Sequence, residues 1–442
     1  MRFTQLIYMS SFQALGLSGA LLETIQGLGF ETPTPVQKKI IPVLLQGDRD
    51  VVALAQTGTG KTAAFGLPLV HLCDVQQRST QALVLAPTRE LCLQIHNDLE
   101  NFSKGVKNFN IVPVYGGASI SEQIRRVKRG AQILVATPGR LMDLMDRQVV
   151  NISSIRFVVL DEADEMLNMG FKEDIDHILA DTPDTKNVWL FSATMPREVR
   201  AIAQAYMSDP FELTIGQKNQ GNENIEHQYL VVDERHRYDA LKRIVDYNLD
   251  IFAVVFCRTK LDSQRIAENL IRDGYNADAL HGDLTQQQRD KVMKAFKEKT
   301  LQLLVATDVA ARGIDVSNIT HVINLNLPDE LEFYTHRSGR TARAGKKGIS
   351  LAIVTKKETG KIRQIEKAIQ TTFERKLAPT GAEVCQKRLL QLVHRLREVN
   401  VVEHEINDLL PAVYEELMPL SKEDIIKRFT SLEFNHLLDY YR

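Results

Sequence analysis

Short, nearly unbroken apolar runs recur along this chain, separated by stretches in which apolar positions return at helical spacing. The runs Val51 to Ala55, Ala82 to Ala86, Ile133 to Ala136, Phe157 to Leu160 and Val188 to Phe191 leave no wet face. Such runs predict parallel strands covered on both sides by helices, a doubly wound α/β arrangement. The polar stretch Gly216-Gln217-Lys218-Asn219-Gln220-Gly221-Asn222 interrupts the pattern and reads as a linker. A fresh set of strands follows at Ala253 to Phe256, Leu301 to Ala306, His321 to Leu325 and Ile349 to Val354. From Leu377 the pattern turns helical. Leu389, Leu392, Val393, Leu396 and Val399 share one helical face. Ile406, Leu409, Leu410, Val413 and Leu417 outline a second helix, with Pro411 as a bend or a break, and Ser421 with Asp424 caps a third.

The two strand sets echo each other, as in Gln132-Ile133-Leu134-Val135-Ala136-Thr137 and Gln302-Leu303-Leu304-Val305-Ala306-Thr307. The expected organisation is an N-terminal extension over 1–11, a first lobe over 12–212, a linker over 213–224, a second lobe over 225–372 and a helical extension over 377–442.

Composition narrows the setting. A length of 442 residues leaves room for about three domains. No apolar run reaches the roughly 18 residues of a membrane helix, and the N-terminus lacks a basic segment followed by an apolar one. The four cysteines, Cys73, Cys92, Cys257 and Cys385, lie far apart without metal-ligand spacing. They read as free thiols, and a cytoplasmic location is expected. A net charge of −1 means that any nucleic acid must be held by a local groove.

The chemistry concentrates in two places. Ala55-Gln56-Thr57-Gly58-Thr59-Gly60-Lys61-Thr62 follows the first strand: its glycines let backbone N–H groups face phosphates, Lys61 reaches the outer ones, and Thr62 offers a hydroxyl to Mg²⁺. Asp161-Glu162-Ala163-Asp164 sits at the tip of the run Phe157 to Leu160. There Asp161 suits Mg²⁺ and Glu162 an attacking water, although acids at a strand end also merely cap helices. The second strand set has no such glycine loop, so one nucleotide site is expected. Arg340 and Arg343, three apart, are expected on one helical face, reaching across as arginine fingers.

With these motifs in this order, the chain resembles the DEAD-box ATP-dependent RNA helicases, over about residues 12 to 370. The resemblance implies two tandem RecA-like lobes with ATP and RNA between them. It places Phe12, Phe30, Thr32 and Gln37 at the adenine, and Thr57, Gly58, Thr59, Gly60, Lys61 and Thr62 at the phosphates. Gly313 and Asp315 fall near the ribose. Ser192 and Thr194 would couple hydrolysis to RNA through Asp164 and His336. Pro87, Thr88, Arg89, Gly117, Thr137, Arg140, Gln286, Arg289 and Thr307 match RNA-contact positions. Their hydroxyls, amides and arginines suit phosphates and 2′-hydroxyls, so little sequence specificity is expected.

The chain departs from the family pattern at Ala342, where glycine is common and where a helical alanine would matter little. It departs again at Leu325-Asn326, where a lost acid would remove one contact between the lobes. The helical extension resembles those of some bacterial members and reads either as a dimerisation module or as a cap on the second lobe. An ATP-gated RNA clamp with weak unwinding uses the same residues and stands as the alternative function.

Overall fold

The computed structural model describes residues 12–55, 58–215, 224–314, 316–343, 346–399 and 410–441. The expected N-terminal extension, most of the linker and the stretch 400–409 lie outside them. The first lobe holds strands β1 Val51–Leu54, β2 Ala82–Leu85, β3 Ile111–Val114, β4 Ile133–Ala136, β5 Phe157–Asp161, β6 Asn187–Ser192 and β7 Phe211–Thr214. They form one seven-stranded sheet in the order β3-β4-β2-β5-β6-β1-β7, and every pairing is parallel.

The second lobe holds β8 Ile225–Val231, β9 Ala253–Phe256, β10 Ala277–Leu280, β11 Leu303–Ala306, β12 His321–Asn324, β13 Gly348–Val354 and β14 Glu374–Lys376. Its sheet, also parallel, runs β10-β11-β9-β12-β13-β8-β14. Each second-lobe strand therefore occupies the place of the strand seven earlier in the chain. The echo between the runs ending at Thr137 and Thr307 falls on equivalent strands, β4 and β11.

The apolar runs are explained by burial on both faces of each sheet. On β2, Ala82 and Val84 join one buried cluster while Leu83 and Leu85 join the other. Strand β9 repeats this, with Ala253 and Val255 on one side and Val254 and Phe256 on the other. The four sheet edges, β3, β7, β10 and β14, lack unbroken apolar runs. Pro113 is tolerated in β3 because an edge strand has one side free of ladder hydrogen bonds. Among the described residues no helix is long and apolar enough to cross a membrane.

The extension contributes helices Gly381–Glu398, Leu410–Leu417 and Lys422–Tyr441. Pro411 falls in the first turn of the second, where a missing N–H costs nothing. Ser421 accepts from the Asp424 amide at 3.1 Å at the start of the third. Val384 and Cys385 are buried, Arg388 pairs with Asp246, and the Lys387 ammonium lies 3.8 Å from the Tyr247 ring centre. The start of this extension thus packs on second-lobe helix Arg237–Tyr247. Farther along, Leu390, Val393, Leu396 and Val399 are more than half exposed.

Candidate active site

The glycine loop leaves β1 and enters helix Lys61–Leu72. Gly58 (φ 79°) and Gly60 (φ 91°) take left-handed conformations that other residues adopt at a cost. A side chain at Gly60 would also come within 2.5 Å of Gln37 Nε2. Lys61 is buried, and its Nζ donates to the Ala55 carbonyl at 3.0 Å. At the tip of β5, burial pushes the Asp161 carboxyl up to about 7; Lys61 opposes the shift and Glu162 adds to it. Glu162 has φ 50°, a strained turn between strand and helix that a non-glycine residue holds only when its surroundings demand it.

These groups line one cavity of about 410 Å³, within the roughly 300–1,000 Å³ of small-molecule sites. Phe30, Gln37, Gly58, Gly60, Lys61, Thr62, Asp161 and Glu162 come from the first lobe; Gly313, Arg340 and Arg343 come from the second. Gln37 is largely committed: Oε1 accepts from the Thr34 amide at 2.8 Å and Nε2 donates to the Gly60 carbonyl at 3.1 Å. One N–H and one lone pair remain for a ligand. Phe12 does not line the cavity; it is buried behind Phe30, ring centres 5.9 Å apart. Thr32 is exposed and also outside the lining. Thr59 is half-buried in the loop. Thr57 and Asp315 lie outside the described residues.

Arg340 and Arg343 converge on the cavity, but not from a helical face. Helix Leu331–Ser338 ends before them. Arg340 is instead held by the Ile314 and His336 carbonyls at 3.0 and 3.2 Å, and Arg343 by the Gly339 carbonyl at 3.2 Å. Between them Ala342 sits at φ 55°. The expectation of a harmless helical alanine is thereby corrected: this is a left-handed position that glycine fits better, at a cost of about 1–2 kcal/mol for alanine. Asn326 works within the second lobe, its carbonyl accepting from Arg337 at 2.7 Å and its side chain from the Arg258 amide at 3.3 Å.

Behind the cavity, Thr194 donates to Asp164 Oδ2 from its amide (2.8 Å) and its hydroxyl (2.7 Å). Ser192 Oγ accepts from the Asp164 amide at 3.3 Å. His336 crosses from the second lobe, with Nε2 3.7 Å from Asp164 and Nδ1 2.8 Å from Glu165. Burial opposes the imidazolium charge, but the two carboxylates outweigh it and raise His336 to about 10. The Asp164 carboxyl is held below its ordinary value, because hydrogen bonding and charge from His336 overcome the burial penalty.

The residues matched to RNA contact lie along the ends of both sheets. Pro87 and Thr88 follow β2, and the Thr88 hydroxyl caps helix Arg89–Ser103 by accepting from Leu91 at 3.2 Å. Thr137 and Thr307 precede helices Pro138–Asp146 and Asp308–Ala311, and neither hydroxyl caps its helix. A side chain at Gly117 (φ 79°) would come 3.2 Å from Gln286 across the cleft. Arg140 donates to the Ala118 carbonyl at 3.3 Å. Two of the arginines are engaged between the lobes: Arg289 with Glu90 at 2.6 Å, and Arg89 with Asp290 at 3.1 Å. The closing partners Glu90, Asp290, Glu165 and Arg312 carry no local signal, since a lone charge in sequence looks the same whether solvated or paired.

A DEAD/DEAH box helicase family model matches residues 34–202, a helicase conserved C-terminal domain 236–345, and the helical domain of a probable ATP-dependent RNA helicase 384–442. The DEAD-box ATP-dependent RNA helicase CshA of Bacillus cereus is 44% identical over 410 residues, covering 93% of this chain and 77% of that protein. The solved structure of S. cerevisiae Dbp5 bound to RNA and ADP BeF3 matches with TM-score 0.78 and 30% identity, covering 87% of this chain and 99% of that one. Mss116p bound to ssRNA and AMP-PNP matches with TM-score 0.76 and 28% identity, over 97% and 90%. With two parallel seven-stranded sheets of one topology and a cavity built from both, the chain belongs to the DEAD-box ATP-dependent RNA helicases, enzymes that hydrolyse ATP.

Proposed function

We propose that this enzyme couples ATP hydrolysis to local opening of short RNA duplexes, with little preference for sequence. In this reading the glycine loop and Lys61 hold the phosphates, Phe30 and Gln37 face the base, and Glu162 orients and deprotonates the attacking water. Arg340 and Arg343 offset the charge that develops on the transferred phosphoryl group. Thr62 and Asp161 would hold Mg²⁺. The fit lies in Asp161, whose buried charge Lys61 compensates only in part. Among the described residues no three His, Cys, Asp or Glu side chains form a metal cage, which suits an ion shared with substrate phosphates. Such an ion supplies charge neutralisation at the phosphates.

The observation that carries the reading is the two-sided lining of the cavity, which is whole only when the lobes meet. RNA lies along the same cleft, on Thr88, Gly117, Thr137, Arg140, Gln286 and Thr307. A strand gripped by both lobes and bent at their junction cannot remain in an A-form duplex, so pairing is lost locally. Solved relatives carrying RNA together with a nucleotide analogue support this arrangement.

The variant Glu162→Gln tests it. Binding of ATP and single-stranded RNA is expected to persist while turnover falls by at least about 10²-fold, the usual contribution of a positioned base. Turnover at the wild-type rate would overturn the assignment.

A further inference from the structure

The acid run at the tip of β5 continues into Glu165, to which the motifs assign no role. Glu165 is 5% exposed, and its two oxygens serve two different cations. Oε1 pairs with Arg312 Nε, and Oε2 with His336 Nδ1 at 2.8 Å. Both partners belong to the second lobe. Arg312 is itself buried, with its guanidinium 5.5 Å from the Phe333 ring centre. Asp164 behaves differently: its close bonds are to Thr194 in its own lobe, and His336 Nε2 stays 3.7 Å away. Asp164 thus divides between Thr194 in its own lobe and His336 across the cleft, whereas both oxygens of Glu165 are spent on the second lobe.

The two cations sit where they matter. Arg312 directly precedes Gly313, which lines the nucleotide cavity. The His336 carbonyl accepts from Arg340 Nε at 3.2 Å, and Arg340 lines the same cavity. One carboxylate therefore fixes, at once, the two second-lobe segments that complete the site. Opening the cleft separates a buried anion from both of its partners, so the contact exists only in the closed arrangement.

We propose that Glu165 is a positioning residue: it seats the Arg312–Gly313 segment and the His336–Arg340 segment against the first lobe and so links closure to assembly of the arginine side of the site. The proposal rests on the reading that closure completes the site.

The test uses the full chain, AMP-PNP and single-stranded RNA. In the wild type, AMP-PNP is expected to tighten RNA binding by about tenfold or more, within the usual range of coupling between sites. Glu165→Gln keeps the shape but cannot neutralise two cations. It is expected to abolish most of that tightening and to lower RNA-stimulated kcat by about tenfold, while the affinity for nucleotide without RNA changes less than about twofold. Arg312→Gln, which removes one of the two contacts, should produce part of the same loss, and the double variant should be no worse than Glu165→Gln, which already removes both. Glu165→Asp, which keeps the charge, should recover part of it. A merely structural role would lower the thermal midpoint and nucleotide affinity together and leave the coupling ratio intact. Coupling within about twofold of wild type in Glu165→Gln, or losses that multiply in the double variant, would overturn the proposal. If wild-type RNA binding itself ignores AMP-PNP, the closure reading falls and the role of Glu165 falls with it.

Discussion

The two lobes share one strand order, yet among the described residues only the first carries a glycine loop at its tip, and the difference lies in a few residues at equivalent places. After β1 the chain runs through Gly58 and Gly60 into Lys61; after β8 it runs through a short 3-10 turn into Arg237. At the tip of β5 stands Asp161; the strand β12, in the equivalent place, leads to Leu325. In the second lobe the Arg237 guanidinium fills the space at the strand ends. It donates to the Leu325 and Ile353 carbonyls, both at 2.6 Å, and pairs with Glu234 at 2.8 Å and with Glu358. In the first lobe Lys61 makes one such bond, to Ala55, and the tip remains open. The same scaffold thus leaves a cavity at its tip where the glycine loop enters helix Lys61–Leu72, and carries a structural plug where an arginine occupies the strand ends.

Removing each cation should separate the two uses. Arg237→Ala strands Glu358 and two buried carbonyls, and should destabilise the second lobe by about 3–5 kcal/mol, read by denaturant unfolding. Lys61→Ala should leave unfolding nearly unchanged and lower kcat/KM for ATP by about 10²–10³-fold. If Arg237→Ala leaves stability intact, the plug description fails.

The lobes also differ in what they bring to the cleft behind the nucleotide: carboxylates from the first, His336 and Arg312 from the second. An open-state histidine titrates near 6.5; facing Asp164 and Glu165 it is raised to about 10. A raised value means that His336 favours closure fully below pH 6.5 and stops doing so as pH rises through about 10. Closing at pH 8 should therefore take up roughly one proton. Calorimetry of AMP-PNP binding in the presence of RNA, in buffers of different ionisation enthalpy, reads this directly. No uptake would mean that His336 closes as a neutral ring.

The smallest effect belongs to Ala342, whose φ of 55° sets the second lobe apart at the arginine turn. Ala342→Gly should relieve about 1 kcal/mol, partly offset by chain entropy, and should raise the unfolding midpoint slightly. A loss of stability on this change would contradict the strain.

These contrasts also separate what the chain displays from what it hides. The central strands were legible because both faces are buried, which forces unbroken apolar runs such as Phe157 to Leu160. The edges were not: Glu374–Lys376 carries no apolar residue, and Ile111–Val114 contains a proline. That Lys61 and Asp161 meet in one cavity was legible because each follows an apolar run in a recognisable motif. The partners of Arg289 and Glu165 were not, because pairing across the cleft depends on how two lobes meet. Ala342 was misjudged for the same reason: the end of helix Leu331–Ser338 is set by contacts that hold Arg340 to distant carbonyls.

The central claim is that ATP and RNA sites are each split between the lobes and completed by one closure. It is tested most directly by the affinity of the full chain for single-stranded RNA with and without AMP-PNP, measured in parallel for Arg340→Ala. The account predicts that the analogue tightens RNA binding by about tenfold or more in the wild type and far less in the variant. Equal affinities with and without the analogue in the wild type would contradict it.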